Sequence, residues 1–99
     1  MNDRDKADYW LELCDYDIET AKAMLIAKRY LYVGFMCHQV AEKGMKAIVA
    51  SITSDIPPKT HDLLRLAEIG CIAEDLSGEQ LLLLDTLKPL QYRSKIPGT

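Results

Sequence analysis

From Arg4 to Val33 the sequence contains neither proline nor glycine, and that run limits what the chain can become more than any other feature. Proline removes a helix hydrogen bond and glycine weakens a helix interior by roughly 1 kcal/mol, so a long helix meets no interruption here. Apolar residues recur within the run at Ala7, Leu11, Cys14, Ile18, Ala21 and Leu25, in alternating steps of four and three. That spacing is one stripe of an amphipathic helix. Asn2 or Asp3 can cap its start, and Asp3, Asp5 and Asp8 suit the positive end of the helix dipole. Helix 1 is predicted from about residue 3 to about residue 28.

A second stripe reads Val33, Cys37, Val40, Ala41, Gly44, Ala47 and Ile48, which predicts helix 2 over roughly residues 31–52. Gly44 lies on that stripe, where a missing side chain would let another helix approach closely. The join between the two helices is short, so they form an antiparallel hairpin. Pro57 and Pro58 then enforce a loop. Thr60 is an N-cap candidate for a short helix ending near Ile69, with Gly70 as the stop. Ser77 and Gln80 fit a capping box that opens a last helix, and Pro89 ends it at about Lys88. No stretch alternates with period two, so no sheet is expected. The predicted fold is all-α: a single domain over residues 1–99, an up-and-down bundle in which two shorter helices cover a long hairpin. One anomaly stands out. Leu81 to Leu84 run consecutively, and only one side of their helix can face helices 1 and 2. A partner chain or a further helix is expected to cover the rest.

Composition narrows the function classes. The 99 residues are 48% apolar and 27% charged, with a net charge of −3, which is globular rather than disordered. No apolar run approaches the ~20 residues needed to cross a bilayer, and the acidic N-terminus is unlike a secretory signal. No membrane association is expected, and a cytoplasmic location is the default. The acidic balance argues against a dedicated nucleic-acid binder. Charge is nonetheless segregated: residues 1–20 carry −5, residues 21–50 carry +4 and residues 51–99 carry −2. Cys14, Cys37 and Cys71 form no disulfide framework or zinc-ligand pattern, and all three are expected to be buried, reduced thiols. There is no Gly-rich phosphate loop, Gly-x-Ser-x-Gly or His-Glu-x-x-His, so no cofactor or metal is expected.

Two groups of polar residues are candidates for chemistry. Gln39, Glu42, Lys43 and Lys46 are three or four apart on helix 2. By spacing alone they describe a solvated helical face, with Glu42 and Lys46 as an i,i+4 pair worth about 0.3–0.5 kcal/mol if exposed. In a functional role, Lys43 and Lys46 would contact a phosphate while Gln39 reads a polar group. His61 follows Thr60 and precedes Asp62 at a helix start, where the helix dipole and Asp62 pull its proton affinity in opposite directions. It is suited either to acid–base work near neutral pH or to fixing the loop through a backbone carbonyl.

The segment 30–50, YLYVGFMCHQVAEKGMKAIVA, resembles the second helix of the HEPN domain (higher eukaryotes and prokaryotes nucleotide-binding). That family shows an aromatic-rich entry followed by Gln-x-x-Glu-Lys-x-x-Lys-Ala or a close variant. His38-Gln39-Val40-Ala41-Glu42-Lys43-Gly44-Met45-Lys46-Ala47 fits it, and Pro58-Lys59-Thr60-His61-Asp62-Leu63 matches the Thr-His-Asp-Leu segment that follows a proline loop. Asp17 and Ala21 fit the family's Asp-x-x-x-Ala pattern, while Tyr92 and Lys95-Ile96-Pro97-Gly98 are a weakened form of its late Arg-Tyr-Pro segment. The resemblance covers roughly residues 7–98. It implies an up-and-down bundle, often dimeric, that usually continues into one more long helix; that last helix has no counterpart before Thr99.

For function, the resemblance implies one of two classes. Many HEPN proteins are RNases marked by Arg, four to six residues, then His. That spacing is absent: eight residues separate Arg29 from His38, and neither Arg65 nor Arg93 precedes a histidine. Other members are similar to non-catalytic partners of minimal nucleotidyltransferases or to nucleotide-binding modules. The expectation is therefore a homo-oligomeric interaction module, partner of a nucleotidyltransferase in a toxin–antitoxin-like system. Its nucleotide-binding residues would be Gln39, Glu42, Lys43, Lys46, His61 and Asp62, with RNA disfavoured as a partner. The alternative is a metal-independent RNase that uses His61 or His38 with a nearby cation.

Overall fold

The computed structural model describes residues 3–53 and 56–91. Its order is α1 (Asp3–Ile26), α2 (Tyr30–Thr53), α3 (Leu63–Ile69), a single 3-10 turn (Ala73–Asp75), α4 (Gly78–Leu87) and a second 3-10 turn (Lys88–Gln91). Among the described residues there is no strand. Asn2, Ser54, Asp55 and the segment 92–99, which includes Tyr92 and the weakened Arg-Tyr-Pro match, lie outside them.

α1 and α2 form the expected antiparallel hairpin. The turn between them closes a Schellman motif: Arg29 N–H donates to Met24 C=O at 2.8 Å and Lys28 N–H to Leu25 C=O at 3.0 Å. The motif needs a left-handed residue, and Lys28 supplies it at φ 60° in the place glycine usually takes. α2 is the central element. α1 packs along one side of it, while α3, α4 and the final 3-10 turn pack on another. On that second side Leu63, Leu84 and Leu87 form a buried cluster, extended by Ala41, Met45, Leu76 and Leu90. Leu66 and Ala67 of α3 are completely buried. Each fully buried leucine contributes about 1.5–3 kcal/mol, which holds so short a helix in place.

Several local expectations are corrected. The buried stripe of α1 is rotated: Leu11 and Leu25 are 47% and 54% exposed, whereas Cys14 and Asp17 are buried and Trp10, Ala21 and Met24 half-buried. The N-cap of α3 is Asp62, whose side chain accepts from Arg65 N–H at 3.2 Å. Thr60 sits two residues earlier and accepts from Asp62 N–H at 3.1 Å. Gly44 is not the tight glycine, because a Cβ there would lie 4.0 Å from Cys14 Sγ, an ordinary contact. At Gly34 a Cβ would come within 3.0 Å of Leu90, so the last 3-10 turn packs onto the bare backbone there. Only Cys14 of the three cysteines is buried; Cys37 and Cys71 are exposed. Burial, then Asp15 and Asp17, push the Cys14 thiol above its ordinary pKa, against the opposing pull of Lys43.

The capping box at α4 forms as read. Ser77 Oγ accepts from Gln80 N–H at 3.1 Å, and Gln80 Oε1 accepts from Ser77 N–H at 2.8 Å. Leu84 and Leu87 of this helix face the core, three residues apart. Leu81, Leu82 and Leu83 remain 40%, 66% and 56% exposed, so the leucine run is uncovered in the single chain.

Candidate functional site

The polar residues of α2 are sorted by helical geometry into two lines. His38, Glu42 and Lys46, four apart, are all buried. Gln39 and Lys43, also four apart, turn toward α1 and are half-buried. The solvated face suggested by the spacing is therefore an interior one. A helix packed on more than one side buries even its charged residues, and buried charges require partners.

Each charge on these two lines has a partner. Glu42 Oε2 accepts from Lys46 Nζ at 3.0 Å, and Lys46 Nζ also lies 5.3 Å from the centre of the Trp10 ring. A desolvated ammonium gains from both the carboxylate and the negative face of the indole. Glu42 Oε1 meets His61 Nδ1 at 2.7 Å. Lys43 pairs with Asp17, joining α2 to α1. Glu42 thus ties the middle of α2 to the non-helical run that enters α3, and Lys46 ties the same carboxylate to α1 through Trp10.

The His61 contact is chemically directional. A carboxylate has no proton to give, so the ring donates from Nδ1–H and Nε2 is left free. The His61 side chain is 62% exposed, which leaves Nε2 open to solvent or a ligand. Its anchor is the Glu42 carboxylate and not the backbone carbonyl expected from sequence. His38, in contrast, is wholly buried, and neither ring nitrogen has a hydrogen-bond partner. Its Nδ1 is 3.9 Å from Glu42 Oε1, beyond bonding range. Burial holds the His38 pKa below the usual imidazole value. Glu42 and the His61 backbone favour the charged form, and the His61 side chain opposes it.

Two recesses border these residues. A cleft of about 370 Å³ is lined by His38, His61 and Asp62 together with Leu63, Leu64, Leu81, Leu84, Asp85 and Lys88. A groove of about 540 Å³ between α1 and α2 is lined by Gln39, Lys43 and Asp17 among aromatic and methionine side chains. The six residues expected to form one nucleotide site are therefore divided. His61 and Asp62 border the cleft, Gln39 and Lys43 border the groove, and Glu42 and Lys46 are buried and paired. Among the described residues no group of three His, Cys, Asp or Glu could hold a metal ion.

Asp17 and Trp10 join this arrangement from α1. The HEPN domain model matches the chain over residues 7–98, which takes in both residues and everything else described above. The chain belongs to the HEPN domain family. No curated protein and no solved structure matches it significantly.

The Glu-Lys-x-x-Lys and Thr-His-Asp-Leu segments that resemble the HEPN pattern meet through the Glu42–His61 contact. Sequence reasoning missed the role of Trp10, the single tryptophan. The available signal was its spacing to Cys14, Asp17 and Ala21, which continues in steps of four, three and four.

Proposed function

We propose that this HEPN domain is an interaction module that forms a homodimer and serves as partner to a minimal nucleotidyltransferase in a toxin–antitoxin-like pair. A nucleotide would be contacted on the His61 and Asp62 side. The observation that carries the assembly is the uncovered leucine face of α4, with Leu82 and Leu83 more than half exposed. Contiguous exposed apolar surface of this kind marks protein contact sites. The lack of the Arg-to-His RNase spacing favours a binding role over a catalytic one. Lys43 and Lys46 already neutralise Asp17 and Glu42, so a phosphate reaching them must displace a carboxylate, and the His61 side is the more open one.

Light scattering across the micromolar range tests the assembly. The expected mass is twice the 11.2 kDa of the chain, falling to the monomer mass when Leu82→Glu and Leu83→Glu are combined with helicity retained. A wild-type mass equal to the single chain at every concentration would overturn the proposal.

A second reading is favoured by one specific contact. The Glu42–His61 pair presents a free Nε2 from an imidazole held by a carboxylate, the arrangement of a general base. Cleavage of single-stranded RNA in the presence of a chelator, lost in His61→Ala with folding intact, would establish an RNase in place of a binding module.

A further inference from the structure

α1 carries an apolar line that its packing on α2 does not use up. Leu11, Ile18 and Leu25 are seven apart, about two helical turns, so they lie along one edge of the helix. Cys14 and Asp17 take the inner positions and contact Val40 and Lys43 of α2. Leu11 and Leu25 are left 47% and 54% exposed, with Ile18 half-buried between them. Ile26, 83% exposed, adds to the apolar surface at the hairpin end. This edge is separate from the α4 leucines, because α1 and α4 pack on different sides of α2.

A row of charges runs beside this line. Asp8, Asp15 and Lys22 each precede a member of it by three residues, which makes them its neighbours on the helix surface. Arg29 continues the seven-residue spacing into the turn, and all four charges are exposed. Lys22 meets Glu19 at 3.2 Å, but an exposed pair of this kind contributes little and exchanges readily. The wider polarity is the same: residues 3–19 hold seven acids against Arg4 and Lys6, whereas residues 20–41 hold Lys22, Lys28 and Arg29 and no acid. The order acid, acid, base, base is its own complement when reversed. An antiparallel copy of α1 centred on Ile18 sets Leu11 opposite the other copy's Leu25, and Ile18 opposite Ile18. In that register Asp8 meets the other copy's Arg29 and Asp15 its Lys22, each pair made twice by the two-fold symmetry. A parallel copy would set acid beside acid and base beside base.

From this pattern we infer that α1 is a second self-association surface, which pairs antiparallel with α1 of another copy of the chain. Apolar residues at a seven-residue repeat form the seam, and the flanking charges set partner and orientation, as they do between the helices of a coiled coil. Three apolar layers on one helix make a smaller contact than a standard interface of about 1,600 Å². The pairing therefore belongs to dissociation constants of about 0.1–1 mM, and it joins dimers already formed through α4. It does not depend on that α4 contact, since the two surfaces share no residue.

The test is sedimentation equilibrium at low salt, up to about 1 mM, on the full chain carrying Leu82→Glu and Leu83→Glu to silence the α4 face. The mass is expected to rise toward twice 11.2 kDa, and to stay at the single-chain value when Leu11→Glu and Leu25→Glu are added with helicity retained. Two charge variants supply the discriminating measurement. Asp8→Lys with Asp15→Lys makes the whole row basic, and Lys22→Glu with Arg29→Glu makes it acidic. Each is expected to remain monomeric alone, because its copies repel, while an equimolar mixture associates and added salt weakens it. Three results would each overturn the inference: a single-chain mass throughout the range, association unaffected by the Leu11 and Leu25 substitutions, or a mixture no heavier than its two components. If the Leu82 and Leu83 substitutions leave a micromolar dimer, the α4 reading fails, and the α1 variants still decide whether this seam holds it.

Discussion

Replacing Glu42 by alanine separates an interior charge network from a solvated helical face. An exposed i,i+4 pair is worth about 0.3–0.5 kcal/mol, and its loss would barely move an unfolding curve. In the structure Glu42 is 3% exposed and accepts from both Lys46 and His61. Glu42→Ala leaves the Lys46 ammonium buried with only the Trp10 ring for compensation, and removing one partner of a buried pair costs about 3–5 kcal/mol. Against a total stability of about 5–15 kcal/mol for a domain, that loss is severe. The companion variants are Lys46→Met and the double variant Glu42→Met with Lys46→Met. Apolar replacement of a whole buried pair is often neutral or stabilising, so the double variant should regain most of the loss. Urea unfolding followed by circular dichroism gives the free energies of the wild type and the three variants. A Glu42→Ala loss below about 1 kcal/mol, or a double variant no more stable than Glu42→Ala, would refute the reasoning.

Two further outcomes are expected. Burial lowers the His38 pKa below its ordinary value near 6.5, so as pH falls the unfolded chain takes up that proton first. The His38 contribution is therefore fully present above about pH 6.5 and is lost on acidification toward the lower folded-state pKa. Urea midpoints should show an acid slope that is shallower in His38→Phe, and equal slopes would contradict the assignment. At the hairpin turn, Lys28→Gly relieves a left-handed strain of roughly 1–2 kcal/mol against a backbone entropy cost of roughly 0.5–1 kcal/mol. Lys28→Gly should raise the thermal midpoint and Lys28→Val should lower it; the reverse order would exclude the left-handed turn.

The hairpin, the α4 capping box and the helix stop near Pro89 were legible because each rests on local chemistry: an uninterrupted run, a Ser–Gln pair and a missing N–H. What escaped was how far the charged residues are buried. Hydrophobic periodicity places Leu11 and Leu25 on the inner stripe of α1, but the inner line also holds Asp17, which is admitted because Lys43 answers it from α2. Periodicity likewise describes Glu42 and Lys46 as a surface pair, since nothing local reports that α3 and α4 pack against the far side of α2. The caps show the same limit on a smaller scale: Thr60 and Asp62 are both sound N-cap residues, and the helix start is fixed by the depth to which Leu63 and Leu66 insert. The candidate site was half legible. The two motif segments were visible, while their meeting at Glu42 and His61 and the unpartnered ring of His38 depend on tertiary structure.

The pairing of Glu42 with His61 joins the two motif segments and directs His61 Nε2 outward. Its most direct test is the long-range ¹H–¹⁵N spectrum of the histidine rings above their titration range. His61 is predicted to carry its proton on Nδ1, the nitrogen facing Glu42, and to revert toward the Nε2–H form of a solvated histidine in Glu42→Ala. A wild-type His61 already in the solvated form, unchanged by the substitution, would contradict the arrangement.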